Sequence, residues 1–161
     1  MSLVLHFADE AALAQALAHE LGWACAPITS HSFPDGEYRL TLPKPLPPRV
    51  AMLRGLQQPN AKLAALLIAA PTARECGARH LTLVAPYLSY MRQDMEFNSG
   101  EAVSQRHVGH ALATWFDALI TVDPHLHRVA TLDEVVPGRR GVALSAAPLL
   151  GRFVAKQVPG A

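Results

Sequence analysis

Five short apolar runs, separated by segments with the length and turn chemistry of helices, constrain the fold of this chain more than any other feature. The runs are Leu3–Phe7, Val50–Leu53, Leu81–Ala85, Ala118–Val122 and Gly141–Leu144. Runs this short, bounded by glycine and proline, fit strands buried on both faces. Between the first two lies an alanine-rich stretch to Leu21, with Asp9 placed to cap it and Gly22 to stop it. Pro59-Asn60 opens a second helix carrying Leu63, Leu66, Leu67 and Ala70 on one face. Pro71 should kink or divide that helix, because it has no N–H for the preceding turn, and Gly77 ends it. Ser104–Trp115 and Pro148–Gln157 read as two more helices. Strand–helix alternation predicts an α/β fold, a doubly wound and mainly parallel sheet with flanking helices in a single domain. Such sheets bind ligands beyond the carboxyl ends of their strands, so the segments after Leu53, Ala85 and Val122 are the ones to inspect.

Composition narrows the function classes. The 161 residues are 50% apolar and 17% charged, with a formal net charge of +1. These values suit a globular chain and supply no broad field for nucleic acid or anionic membrane. The longest apolar stretch, Leu63–Ala70, is too short to span a bilayer. Met1–Ala8 lacks the basic head and apolar run of a signal peptide. Cys25 and Cys76 show no metal-ligand spacing and read as idle thiols in a reducing compartment. The expectation is a soluble, cytoplasmic protein.

Three constellations carry candidate chemistry. Phe33-Pro34-Asp35-Gly36-Glu37 lies in an extended excursion spanning Ala26–Tyr38. It reads as an ordinary turn anchored to the core by Phe33, or as an aromatic face with Asp35 and Glu37 able to accept from a base. Arg92 and Gln93 lie in a polar loop from Pro86 to Val103, longer than a plain connector needs. There the Arg92 guanidinium either forks onto phosphate oxygens or pairs with Asp94 or Glu96. Asp123-Pro124-His125-Leu126-His127 follows the strand ending at Val122. Asp123 can hold Mg²⁺ there and His125 can contact a phosphate, or Asp123 can cap backbone donors. His125-Leu126-His127 also matches a zinc pair of metal-dependent hydrolases, but the barrel those enzymes need is about 250 residues long. No Walker-type phosphate loop is present in the sequence.

Taken together, Phe33-Pro34-Asp35-Gly36-Glu37, Tyr90-Met91-Arg92-Gln93-Asp94, Gly100-Glu101-Ala102-Val103-Ser104 and Val122-Asp123-Pro124-His125 resemble, in order and spacing, the marks of ribose-phosphate pyrophosphokinases. The likeness runs from about Ser32 through Val154, with Pro59–Leu63 as a further match. It implies a phosphoribosyltransferase-like fold and transfer of the diphosphoryl group of MgATP to ribose 5-phosphate, giving phosphoribosyl pyrophosphate and AMP. By resemblance, Phe33 would stack on the adenine of a neighbouring subunit's ATP, with Asp35 and Glu37 on its polar edge. Arg92 and Gln93 would contact the nucleotide, Asp123 and His125 would bind Mg²⁺ and the ATP phosphates, and the loop Asp94–Ser104 would be a flap. Arg92 and His125 are the candidate catalytic residues, and a homo-oligomer is implied. Two departures stand out. The family's second domain, with the acidic loop that cradles the pentose phosphate, has no counterpart in residues 1–161, and Asp-Pro-His replaces the commoner Asp-Leu-His. The expectation is therefore an ATP- and Mg²⁺-binding half, inactive alone. The alternative is a non-catalytic relative that binds nucleotide or regulates a partner synthetase.

Overall fold

Each apolar run forms a strand, and the helices between them return the chain so that the strands lie parallel. The computed structural model describes residues 1–158, so 159–161, the tail of the expected single domain, lie outside the described residues. In chain order the elements are β1 (Ser2–His6), a 3₁₀ turn (Ala8–Glu10), α1 (Ala11–Leu21), β2 (Ala24–Pro27), β3 (Thr29–Ser32), β4 (Tyr38–Thr41) and β5 (Arg49–Leu53). They continue with α2 (Pro59–Glu75), β6 (His80–Ala85), α3 (Ser104–Trp115), β7 (Ala118–Val122), α4 (Leu132–Val135), β8 (Arg140–Leu144) and α5 (Ala147–Gln157). Six strands form one parallel sheet in the order β2-β1-β5-β6-β7-β8, with Val4 opposite Ala51, Met52 opposite Leu83 and Val84 opposite Ile120. β3 and β4 form a separate antiparallel hairpin pairing Ser32 with Tyr38.

Alternation along the strands divides the core. Leu3, Leu5, Met52, Leu83 and Leu119 pack with Leu66, Ala69 and Ala73 of α2 and Leu112 of α3. Val4 and Leu53 face the other way, against Ala14 and Ala18 of α1. Complete burial of Leu66 alone contributes about 1.5–3 kcal/mol. By contrast α5 buries no residue and leaves Leu149, Leu150 and Phe153 each about 60% or more exposed. No helix among the described residues is long and apolar enough to cross a membrane.

Two local expectations fail. Pro71 does not divide α2, which is one helix from Pro59 to Glu75. Pro71 is exposed, and so is Leu67, whose carbonyl loses the N–H of residue 71; water can replace that donor on the outer face. Nor does Asp9 cap α1, since Glu10 occupies the N-cap position and no side-chain capping bond forms. Arg54, only 9% exposed, draws the carboxylate away: its Nη1 lies 2.5 Å from Asp9 Oδ1 and 3.3 Å from Glu10 Oε2. A buried guanidinium needs countercharge more than a short helix needs a cap. β2 and α4 were not visible as separate elements in the sequence pattern.

Candidate functional site

β6 and β7 are neighbours in the sheet, so the segments beyond their carboxyl ends, after Ala85 and after Val122, face each other across a cleft of about 630 Å³. Arg92, Gln93, Asp123, His125 and His127 line it, with Tyr87 and Tyr90 at its wall. The third strand end singled out in the sequence, after Leu53, carries a knot of paired charges instead of the candidate residues. There the Arg54 guanidinium stacks over the Phe7 ring at 4.3 Å, between Asp9 and Glu10, and Lys62 Nζ donates to the Gly55 carbonyl at 2.8 Å. Charges of both signs cancel within this knot, which joins β1, β5 and α2.

Arg92 is exposed, and neither carboxylate named as its alternative partner holds it. Asp94 faces Arg128 Nε at 3.4 Å, while Glu96 accepts the Gly100 N–H. The guanidinium is thus available to a ligand in the cleft. Gln93 lines the cleft while its amide donates to the Met95 carbonyl at 3.1 Å. Glu101 closes the loop beyond, accepting from the Asn98 side chain at 2.6 Å and from the backbone N–H groups of Phe97 and Asn98 at 3.2 Å each. The Asn98 amide is the strongest of the influences on the Glu101 carboxyl, and with the backbone donors it holds the group below its ordinary range despite some desolvation.

Asp123 combines both readings of its position. Its Oδ2 accepts from the Ala146 N–H at 3.0 Å, capping a backbone donor ahead of α5, while the residue is exposed at the mouth of the cleft. Its φ of 41° is left-handed, as is the 63° of Tyr90 across the cleft. Non-glycine residues in that region cost about 1–3 kcal/mol each, and such outliers concentrate at ligand sites. The His125 and His127 rings meet edge to face, 4.0 Å between centroids. Among the described residues no three His, Cys, Asp or Glu side chains cluster to hold a metal ion. Asp123 supplies a single exposed carboxylate to the cleft.

Phe33, Asp35 and Glu37 are not brought to this cleft. They form the tip of the β3–β4 hairpin, where Phe33 N donates to the Glu37 carbonyl at 2.8 Å and Asp35 Oδ1 accepts from Glu37 N at 3.1 Å. Gly36, at φ 93°, makes that turn. Phe33 is 39% exposed, meets His31 edge to face at 4.8 Å between centroids and is absent from the buried core, so it is not the core anchor that a plain turn would make of it. Of the residues that tie the cleft loops together, Gln105 and Arg128 were not singled out in the sequence, and Asp94 was named only as a partner for Arg92 and as part of a motif. The only signal for Gln105 is a polar residue at an inward position of an amphipathic helix.

The comparisons with known proteins agree with this architecture. Residues 2–115 match the family model of the N-terminal domain of ribose phosphate pyrophosphokinase. A ribose-phosphate pyrophosphokinase of Methanopyrus kandleri is 37% identical over 160 residues, 98% of this chain and 53% of the relative. One of Halobacterium salinarum is 34% identical over 123 residues, 76% of this chain and 44% of the relative. The crystal structure of phosphoribosylpyrophosphate synthetase from Mycobacterium smegmatis superposes with a TM-score of 0.82 at 23% identity, over 97% of this chain and 52% of that one, which shows a shared fold. The chain spans about half the length of the curated relatives it matches. A family match over residues 2–115, together with a relative of that name aligned over 98% of the chain, places this protein in the ribose-phosphate pyrophosphokinase family.

Proposed function

We propose that the chain is the ATP- and magnesium-binding half of a ribose-phosphate diphosphokinase, which moves the diphosphoryl group of MgATP to ribose 5-phosphate. The observation that carries this reading is the convergence of Arg92, Asp123 and His125, from the ends of two adjacent parallel strands, on one open cleft. Diphosphoryl transfer depends on alignment and charge neutralisation rather than on a protein nucleophile. Arg92 forks onto phosphate oxygens and Gln93 contacts the nucleotide beside it. His125 holds a phosphate oxygen through an imidazole N–H, and Asp123 holds the cation. Bound Mg²⁺ supplies the charge neutralisation that lets the phosphates sit together.

The hairpin serves a different copy of the chain. Phe33, Asp35 and Glu37 lie outside their own cleft, and a half-exposed aromatic at a projecting turn gains most when a ligand covers it. In the homo-oligomer, Phe33 stacks on the adenine held at a neighbour's cleft, while Asp35 and Glu37 accept from its amino edge. Ribose 5-phosphate binds to the second domain that the family likeness implies.

Calorimetric titration with ATP, with and without Mg²⁺, tests the assignment. Arg92→Ala should weaken binding in both conditions, and Asp123→Asn should abolish most of the magnesium dependence. Phe33→Ala should cost about 1–3 kcal/mol. A mixture of Phe33→Ala and Arg92→Ala chains should regain one intact site per hetero-dimer. Wild-type affinity in Asp123→Asn at every magnesium concentration would refute the metal role.

A further inference from the structure

We propose that Gln105 is a positioning residue, whose carboxamide clamps the two loops of the cleft so that Arg92–Gln93 and His125 face one ligand. The inference rests on the nucleotide reading above and deepens it. Gln105 lies in the first turn of α3, is 5% exposed and does not itself line the cleft. Its Nε2 donates to the Met91 carbonyl at 3.2 Å and reaches toward the His125 carbonyl at 3.5 Å. Its backbone N–H donates to the Gln93 carbonyl at 3.1 Å. All three acceptors belong to residues that line the cleft, two from the loop after β6 and one from the loop after β7.

Chemistry fixes the direction of the clamp. A carboxamide nitrogen carries two hydrogens and can serve two carbonyls, whereas the reversed orientation would set oxygen against two oxygens. Apolar side chains cannot do this, and burying a glutamine in the inward face of a helix is unfavourable unless its hydrogen bonds are made. The other buried residues of α3 are Gly109, Leu112 and Ala113, so Gln105 is the polar exception on that face. Because α3 is anchored in the core through Leu112, the two loops are referenced to a rigid element rather than to each other. A second tie spans the same gap: Asp94, whose side chain is 5% exposed, faces Arg128 Nε at 3.4 Å. The closer approach to Met91 and the longer one to His125 make the His125 loop the side that the clamp holds less tightly.

The test compares the wild-type chain with Gln105→Met, which keeps length and volume but has no donor. Backbone amide resonances are recorded without ligand, and MgATP is titrated well below the melting temperature. The clamp predicts that the amides of residues 91–93 and 125–127 shift or broaden together while those of β1 stay fixed, and that the MgATP dissociation constant rises about tenfold. Gln105→Asn, too short to reach both carbonyls, should give the same paired response, and it decides the matter if Gln105→Met does not fold. Unchanged amides at either loop, or a wild-type dissociation constant in a folded variant, overturns the proposal. If the wild-type chain fails to bind MgATP, the nucleotide assignment falls, while the ligand-free amide pattern still decides whether Gln105 clamps the loops.

Discussion

Replacing Gly109 by alanine sets two physical effects against each other, and the structure says which one prevails. Gly109 is buried in α3, where helix propensity alone favours alanine by about 0.8–1.0 kcal/mol. A Cβ there would run into the Val135 carbonyl oxygen, with Val135 Cγ1 only 2.9 Å and its carbonyl carbon 3.0 Å away. Those atoms belong to α4, which is also tightly packed on β8, where a Cβ at Gly141 would lie 2.8 Å from the Leu132 backbone. The short helix is wedged between two glycines, one on α3 and one on β8. Overpacking of this kind costs about 1–3 kcal/mol. After the propensity gain the net destabilisation of Gly109→Ala lies between about 0 and 2 kcal/mol, and because the clash is with backbone atoms rather than a flexible side-chain end it falls in the upper half, about 1–2 kcal/mol. For a domain of this size that lowers Tm by about 2–8 °C. Urea unfolding followed by circular dichroism, with calorimetry as a second measure, reads the change. A variant as stable as wild type, or more stable, would show that α4 does not pack on Gly109 and that the wedge is wrong.

Three further outcomes follow from particular contacts. Burial pushes the Asp117 carboxyl up, but the Leu81 N–H at 2.7 Å and Arg74 Nη2 at 2.8 Å outweigh it and hold the group below its ordinary range. Asp117 therefore stabilises the fold above about pH 3.9 and loses that contribution as pH falls through its lower folded value; the stability gap between wild type and Asp117→Asn should narrow there, and a constant gap on acidification refutes it. Glu101 is likewise held below its ordinary range in the loop Asp94–Ser104, so an amide titration of Phe97 and Asn98 should show a midpoint below about 4.3, absent in Glu101→Gln, and a midpoint at or above that value removes Glu101 as the loop's acceptor. Finally, Leu66→Ala should cost about 2–5 kcal/mol and Phe153→Asp less than about 0.5, since Leu66 is fully buried and Phe153 is 62% exposed; equal losses in chemical denaturation would contradict the placement of α5.

Much of the architecture was legible in the chain because it depends on local signals. Apolar runs bounded by glycine and proline became β1, β5, β6, β7 and β8, and the alanine-rich and leucine-faced segments became α1 and α2. The unstructured stretch from Pro86 to Val103 and the turn at Pro34–Gly36 also stand where their residues placed them. Two elements lacked a strong local signature. β2 is four residues with no fully buried side chain, and α4 is a single turn whose mark is the capping box from Thr131 to Glu134.

Sequence by itself determined the fold class, the family and the residues that carry candidate chemistry, because composition, spacing and turn chemistry are written along one dimension. Only the tertiary structure decided which of those residues meet. Strand order set β6 beside β7 and so joined Arg92 to Asp123 and His125, while the β3–β4 hairpin kept Phe33, Asp35 and Glu37 outside that cleft. It also settled competitions that local rules cannot: Asp9 went to buried Arg54 instead of a helix cap, and Pro71 stayed within an unbroken α2 because its face of the helix meets water. The physical reason is the same in each case. A buried charge, a close helix contact or an open face changes the free energy of a residue by more than its local propensity does, and each of these is set by segments distant in sequence.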